Sequence, residues 1–392
     1  MKIVHITASY KPAYIYGGPI QSVGKLCEAI AIQAQHQNID LEVFTTTANG
    51  ETELDVETNK KIEVDGVRVT YFKRWTKDHS HFSPGLLLSL RKVLRQTHQG
   101  SEKIVVHIHA WWNLVSVLSC LIAKWYKVPV VLSPRGMLTS YSQNNRHSFF
   151  KTLIHKIIAR TLLQYCHIHA TSEQEVTDIE FILKLKSIDV IHNLVQISEK
   201  LLSKDSSVAM DQPKPFRLIF LSRIEEKKGL TLLFDALAIL EIPWTLTIAG
   251  SGEKKYVDSL KQKTEELKVN SRINWIGQVS NEDKFEILMQ HDLLVLTSYN
   301  ENFANVVIES LSIGTPVLIS DQVGLSDYVL EKKLGWVTAL NPTAIQKSLL
   351  QANQDQEKRN LIRQEVPMLI AKDFKDSNLV QKYLNLYQNI TH

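Results

Sequence analysis

The feature that most constrains this fold is an alternation that runs twice along the chain. Short runs rich in β-branched and aromatic residues (2-KIVHIT-7, 41-LEVFTT-46, 67-VRVTYF-72, 104-IVVHIH-109, 129-PVVLS-133 and 187-SIDVIH-192) are separated by amphipathic stretches at 20–35, 84–96, 113–126 and 148–165. The polar segment 198-SEKLLSKDSSVAMDQPKP-215, ending in two prolines, breaks the pattern and reads as a linker. The alternation then restarts with 216-FRLIFLS-222, 244-WTLTIAG-250, 272-RINWIG-277, 292-DLLVLTS-298 and 315-TPVLIS-320. Strands alternating with helices imply parallel sheets joined by right-handed crossovers. The expectation is an α/β chain of two Rossmann-like domains, 1–197 and 216–371, whose parallel sheets face a cleft. The segment 372–392 is expected to be a terminal helix that returns to the first domain. A chain of 392 residues suits this division, because single cores stop growing at about 250–300 residues.

Composition excludes several classes. An apolar fraction of 44% and a charged fraction of 22% with mixed signs mark a folded chain. Three scattered cysteines, Cys27, Cys120 and Cys166, suit a reducing compartment and form no disulfide or zinc framework. The opening MKIVHITASY lacks the apolar core of a signal peptide. Two histidines and Asn113 interrupt the apolar stretch 104–125, which parses as strand, loop and buried helix instead of a membrane span. These points favour a cytoplasmic protein. Residues 1–193 hold 22 Lys+Arg against 16 Asp+Glu; the remainder of the totals, 45 and 41, leaves 23 against 25. The first half alone is basic, as a surface meeting phosphate or anionic lipid would be. No dense basic–aromatic cluster suggests nucleic-acid binding.

In open parallel sheets ligands bind at the carboxyl ends of strands. The chain's polar and glycine-rich motifs fall there: 17-GGP-19, His109, 133-SPRG-136, 222-SRIEEKKG-229, 250-GSG-252 and 299-YNENFANVVIESLSIGTPV-317. The last carries Glu301 and Glu309. If 301–309 were wholly helical, the backbone between them would span roughly 12 Å. A retaining glycosidase needs its carboxyls about 5–5.5 Å apart and an inverting one about 6.5–9.5 Å, so a paired-carboxylate hydrolase is disfavoured. The spacing suits instead the two ends of a long ligand, with helix-starting N–H groups at 303–306 drawing a phosphate between them.

The stretch resembles the E-x7-E signature of the retaining glycosyltransferases of family 4, the glycosyl transferases group 1 family, which have the two-domain GT-B fold. The stretches 220-FLSRIEEKKGLTLLFDAL-237, 248-IAGSGE-253, 274-NWIGQVSNEDKFEIL-288 and 314-GTPVLISDQVGLSDYV-329 follow in the family's order, and 17-GGPIQSV-23, 107-HIHAWW-112 and 133-SPRGML-138 also look like it. The resemblance implies transfer of a hexosyl unit from a UDP- or GDP-sugar, without a metal or other cofactor. The acceptor would be a glycan or a lipid-linked glycan, as in bacterial surface polysaccharide synthesis.

Roles follow residue by residue. Arg223 and Lys228 would clamp the donor diphosphate, the Arg as a planar fork and the Lys as a point charge. Glu301 would meet the donor sugar and its developing positive charge, and Glu309 the ribose hydroxyls. Phe303, Ala304, Asn305, Gly250 and Val279 would complete the donor site. His109 would touch the transferred sugar. Gly17 and Gly18 would let backbone approach a phosphate or the acceptor, and Arg135 would line the acceptor side. Two departures stand out: relatives often show EGFG at 301-ENFA-304 and Pro-Asn-Gly at 192-HNL-194, which puts the phosphate loop and the interdomain contact of Leu194 in question.

Rival readings remain. The pairs His107-x-His109 and His167-x-His169 place imidazoles on one strand face and could chelate zinc in a hydrolase. A non-catalytic nucleotide-sugar-binding protein is the other. Finally, 146-RHSFFKTLIHKIIARTLLQY-165 sets Phe149, Phe150, Leu153 and Ile157 among Lys151, Lys156 and Arg160, a basic amphipathic pattern that could hold the protein peripherally on an anionic membrane face.

Overall fold

The computed structural model describes residues 1–34, 37–98, 102–139, 160–183, 187–198 and 215–391. Most of the expected linker (199–214) and of the basic amphipathic stretch (146–159) lies outside the described residues. The chain divides into two compact units, Met1–Leu194 with Asp376–His392, and Val195–Lys375.

The first unit holds β1 (Lys2–Ile6), β2 (Asp40–Thr46), the short ladder β3 (Ala48–Asn49) and β4 (Thr52–Glu53), β5 (Lys61–Val64), β6 (Val67–Phe72), β7 (Ile104–His109), β8 (Val130–Ser133), β9 (His167–Ala170) and β10 (Ile188–Val190). Eight of these form one sheet in the order β10-β9-β8-β7-β1-β2-β6-β5. All pairings are parallel except β5 with β6, an edge hairpin turned through Asp65 and Gly66, both at positive φ. The expected all-parallel sheet is corrected at that edge. Strand β5 was not expected from the sequence because its side chains are exposed or half-buried, without an apolar run. The residues of β7 are all buried, as a central strand covered on both faces requires. In register, His5 stands beside His107, and His109 beside Ser133, so their side chains share one face.

Helices Gly18–Ala34, Pro84–His98, Leu114–Trp125 and Glu173–Ile182 surround this sheet. Asn113 starts the third of them by accepting a hydrogen bond from the Ser116 amide, and Ser172 does the same for the fourth through Glu175. The C-terminal helix Asp376–Ile390 packs beside Gly18–Ala34 and buries Tyr383 and Tyr387.

The second unit is a six-stranded parallel sheet of β11 (Phe216–Leu221), β12 (Trp244–Ala249), β13 (Ile273–Gly277), β14 (Leu293–Leu296), β15 (Val317–Ser320) and β16 (Gly335–Thr338). Its order, β13-β12-β11-β14-β15-β16, is the 3-2-1-4-5-6 order of dinucleotide-binding folds, and it reverses direction between β11 and β14. A crevice at the carboxyl ends of those two strands is the expected ligand position. Arg217 fixes the pair at the opposite end, donating from Nε to Asp292 Oδ2 at 3.1 Å and from Nη2 to Oδ1 at 2.8 Å. Burial raises the Asp292 carboxyl, but Arg217 outweighs it and holds the group below the usual carboxylate range. Strand β16, short and opened by a glycine, had no expectation from the sequence.

Candidate active site

In the second unit, three loops converge at the β11/β14 reversal. The loop after β11 carries Arg223, the 3-10 turn Glu226–Lys228 and Gly229; the loop after β14 carries Glu301. The Tyr299 amide donates to the Lys227 carbonyl at 2.8 Å, and Thr297 Oγ1 donates to the Gly229 carbonyl at 3.1 Å. Only glycine permits this approach: with φ 67, a Cβ on Gly229 would lie 2.0 Å from the Thr297 carbonyl oxygen. Gly250 plays the same part after β12, where a Cβ would lie 1.8 Å from the Ser222 carbonyl oxygen. The Ile224 amide then donates to Ser251 at 2.8 Å, drawing the Arg223 loop over the end of β12.

Into this frame come three cations. Lys228, buried apart from 5% of its surface, has its ammonium against the Glu301 carboxylate. Arg223 Nη1 lies 2.5 Å from Glu225 Oε1, and Lys227 Nζ lies 3.7 Å from Glu225 Oε2. Burial raises the Glu301 carboxyl, but Lys228, then Lys227 and Arg223, outweigh it and hold it ionised below its ordinary value. The backbone of Glu301 is extended, donating to the Gln322 carbonyl at 3.1 Å and accepting from the Gly324 amide at 2.7 Å. Such an array can exchange its carboxylate partners for an incoming polyanion while keeping an acid at the anion's edge.

Sequence expectations are corrected in detail here. The helix begins at Asn305 and ends at Ser312, so Glu301 lies outside it and the all-helical span does not apply. Ala304 is its N-cap at φ 65 and ψ 75, a left-handed position with no side-chain cap bond. Phe303 is 2% exposed and packs edge-on against Phe374, anchoring the loop in the core. Asn305 opens the helix, and Val279 is half-buried in the loop after β13. Glu309 is 4% exposed and accepts from Lys284 Nζ at 2.8 Å. Lys284, which carries no charge-pairing signal in the sequence, was not anticipated.

In the first unit the reversal falls between β1 and β7, and the side chains there form a buried polar core. His109 sits at the end of β7, its Nε2 2.9 Å from His5 Nδ1. Arg135 Nε and Nη2 each lie 3.4 Å from His109 Nδ1, while Nη1 donates to Ser22 Oγ at 2.9 Å and to Asn193 Oδ1 at 3.2 Å. Arg135, at φ 54, thus spends its guanidinium on partners within its own unit. Burial, then the Arg135 cation, lowers His5 to about 3 and His109 well below its ordinary value. His107 is lowered likewise by burial and its histidine neighbours, and His169 to about 3 by burial. Gly17, at φ 69, ends the 3-10 turn Tyr14–Tyr16, and Gly18 opens the helix Gly18–Ala34.

The two HxH pairs do not assemble. His167 lies two strands from His107 and binds Asp189 Oδ2 at 2.6 Å and Ser187 Oγ. His5, His107 and His109 instead bring ring nitrogens within 4.8 Å of one another, with the Arg135 guanidinium beside them where a metal cation would be repelled. Among the described residues no helix is long and apolar enough to cross a membrane.

Comparison with known proteins decides the lineage. Residues 205–367 match the family model "Glycosyl transferases group 1" and residues 23–199 match "Glycosyltransferase Family 4". The chain belongs to the group 1 glycosyltransferases of family 4. A glycogen synthase of Mycobacterium tuberculosis is 26% identical over 364 residues, covering 86% of this chain and 81% of that protein. A sucrose-phosphate synthase of Thermosynechococcus elongatus superposes with TM-score 0.73 at 16% identity, covering 100% and 99% of the two chains. HepE of Anabaena, solved with UDP and glucose, superposes with TM-score 0.72 at 19% identity, covering 99% and 100%. As a glycosyltransferase of GT-B fold, the chain is an enzyme, which removes the non-catalytic reading. The glycosyltransferase's buried core also uses His5, Tyr383 and Tyr387, which sequence reasoning missed. Only the in-register histidines of β1 and β7 signalled it.

Proposed function

We propose that this glycosyltransferase moves a hexosyl unit, with retention, from a UDP- or GDP-sugar to a glycan or lipid-linked acceptor in the assembly of a surface polysaccharide. The observation that carries the reading is the cluster of Arg223, Lys227 and Lys228 against the ionised Glu301 at the β11/β14 reversal. Lys228 and Arg223 would bind the diphosphate and stabilise it as it leaves, a task that otherwise falls to a divalent metal. Glu301, freed from Lys228 by the phosphate, would face the sugar and its oxocarbenium-like charge. The buried Glu309, held by Lys284, would present its remaining acceptor capacity to the ribose. His109 would contact the sugar from the first unit. Among the described residues no side chain is arranged as a nucleophile for double displacement, so transfer on one face of the sugar, assisted by the leaving phosphate, fits these residues best.

A thermal-shift panel of UDP, GDP and their sugars in EDTA tests the donor, since a ligand of the folded state raises apparent stability. One nucleotide should stabilise the protein, Arg223→Ala and Lys228→Ala should each abolish most of that shift, and Glu301→Gln should keep it while losing transfer. Wild-type shifts in both clamp variants would remove the clamp, and zinc-restored activity after EDTA would favour the hydrolase reading. The basic stretch 146–165 supports work at the cytoplasmic face of a membrane. Salt-sensitive flotation with anionic vesicles, lost when Lys151, Lys156 and Arg160 are changed to glutamate, is the corresponding check.

A further inference from the structure

We propose that the buried polar core of the first unit is one hydrogen-bond chain with a single proton direction, running from Arg135 to the Ile191 carbonyl through four neutral histidines, and that Tyr387 acts through it as a positioning residue for His109. The role for His109 rests on the proposed function; the direction of the chain does not.

The direction follows from the two ends. Arginine has only donors, and two of its nitrogens lie 3.4 Å from His109 Nδ1, so that atom accepts. A neutral His109 then carries its proton on Nε2 and donates to His5 Nδ1 at 2.9 Å. His5 in turn has its proton on Nε2, facing the Tyr387 hydroxyl at 3.5 Å. Tyr387 donates to His107 Nδ1 at 2.7 Å, which places the His107 proton on Nε2, toward Ser133 Oγ at 2.7 Å. Ser133 donates to His169 Nδ1 at 2.6 Å, and His169 Nε2 donates to the Ile191 carbonyl at 2.8 Å. The carbonyl can only accept. Reversing the chain would set two N–H groups against each other at Arg135 and two acceptors at Ile191. The neighbouring groups leave this order intact. The Tyr383 hydroxyl, 3.1 Å from His169 Nε2, shares the proton already given to Ile191, and the Cys27 thiol, 3.5 Å from His5 Nδ1, is a weak donor to an atom that already accepts. Burial and the Arg135 cation, which lower all four histidines, agree with neutral rings.

Both ring nitrogens of His109 are thereby committed. It is a fixed neutral ring, 1% exposed, and transfers no proton. Its orientation depends on a hydroxyl of the C-terminal helix, since Tyr387 lies 280 residues beyond His107. Without that hydroxyl, His107 Nδ1 loses its donor and the His5 N–H loses its acceptor, so both rings lose a restraint on their orientation while the Arg135 and Ile191 ends still set their tautomers.

The test uses the full chain labelled with 15N-histidine, with long-range 15N–1H correlation and assignment by single His→Gln changes. Wild-type protein should show His5, His107, His109 and His169 all in the Nε2–H tautomer at neutral pH. Tyr387→Phe should keep the Nε2–H tautomers, shift the His5 and His107 15N resonances as their hydroxyl partner is lost, and lower the turnover of UDP- or GDP-glucose by roughly tenfold, with donor KM within about twofold. Tyr383→Phe, on the same helix and equally buried, should keep the tautomers and most of the turnover. An Nδ1–H or charged ring among the four, a stoichiometric bound metal, or equal effects of the two tyrosine changes would overturn the proposal. Failure of wild-type protein to turn over any nucleotide sugar would count against the proposed function alone, because the tautomers are read without substrate.

Discussion

Mild acid should unfold the first unit selectively, and the size of the effect follows from its four buried histidines. His5 and His169 are held at about 3, and His107 and His109 well below their ordinary value, by burial together with Arg135 and one another. In the unfolded chain each returns to about 6.5. A group whose folded pKa is depressed binds fewer protons folded than unfolded, so stability rises with pH across the interval between the two values. The contribution is complete above about pH 6.5 and is lost as pH falls toward 3. At about pH 5.5 each histidine costs ~1.4 kcal/mol, and four cost roughly 5–6 kcal/mol, comparable to the whole stability of an ordinary domain. The groups facing them, Arg135, Tyr383, Tyr387 and the Cys27 thiol, do not change charge in this interval. His81, lowered to about 4 by burial and Arg74, acts in the same sense. The second unit contains one histidine, His291, and should lose at most ~1.4 kcal/mol.

The assay is urea unfolding of the full chain at about pH 7.5 and about pH 5.5, with peptide-resolved proteolysis assigning each transition to a unit. His169→Gln should remove one proton from the dependence, flattening it by about a fifth. A first unit whose midpoint stays constant, or falls no more than that of the second, would show that these rings are charged or solvated in the folded protein and would refute the reasoning.

Two further outcomes concern the second unit. Lys284→Met leaves the Glu309 carboxylate buried without its partner and should cost about 3–5 kcal/mol in urea unfolding, whereas Lys284→Met with Glu309→Leu should recover most of it; a loss under about 1 kcal/mol for the single change would mean the pair is effectively solvated. Ala304→Gly should stabilise by about 0.5–1 kcal/mol, because release of ~1–2 kcal/mol of left-handed strain exceeds the added chain entropy of about 0.5–1 kcal/mol; a lower melting temperature would refute it.

The frame of this molecule was legible because its strands announce themselves. Runs such as 104-IVVHIH-109 and 292-DLLVLTS-298 are apolar enough that only a covered parallel sheet can hold them, and the structure places β7 and β14 there. The clustering of Arg223, Lys228 and Glu301 was legible for the same reason, since each follows a strand of the reversal point. Strand β5 was illegible because its exposed and half-buried residues carry no apolar run, and β16 because it is four residues long and opens on a glycine. The histidines failed differently. His107 and His109 looked like a chelating pair within one strand, and the matching His167 and His169 strengthened that appearance.

What separates a ligand set from a hydrogen-bond chain is the register between strands and the arrival of a distant helix. His5 belongs to the group because β1 lies beside β7 with His5 level with His107. His167 is excluded because β8 intervenes, with Val131 standing between the two histidines in register. Tyr387 joins because the chain returns to its first unit after completing its second. Periodicity along any single strand carries none of this, since it reports which face a side chain takes and is silent on which neighbour it meets. The polar core is therefore a property of the pairing, and its chemistry becomes readable only where an obligate donor and an obligate acceptor close the two ends.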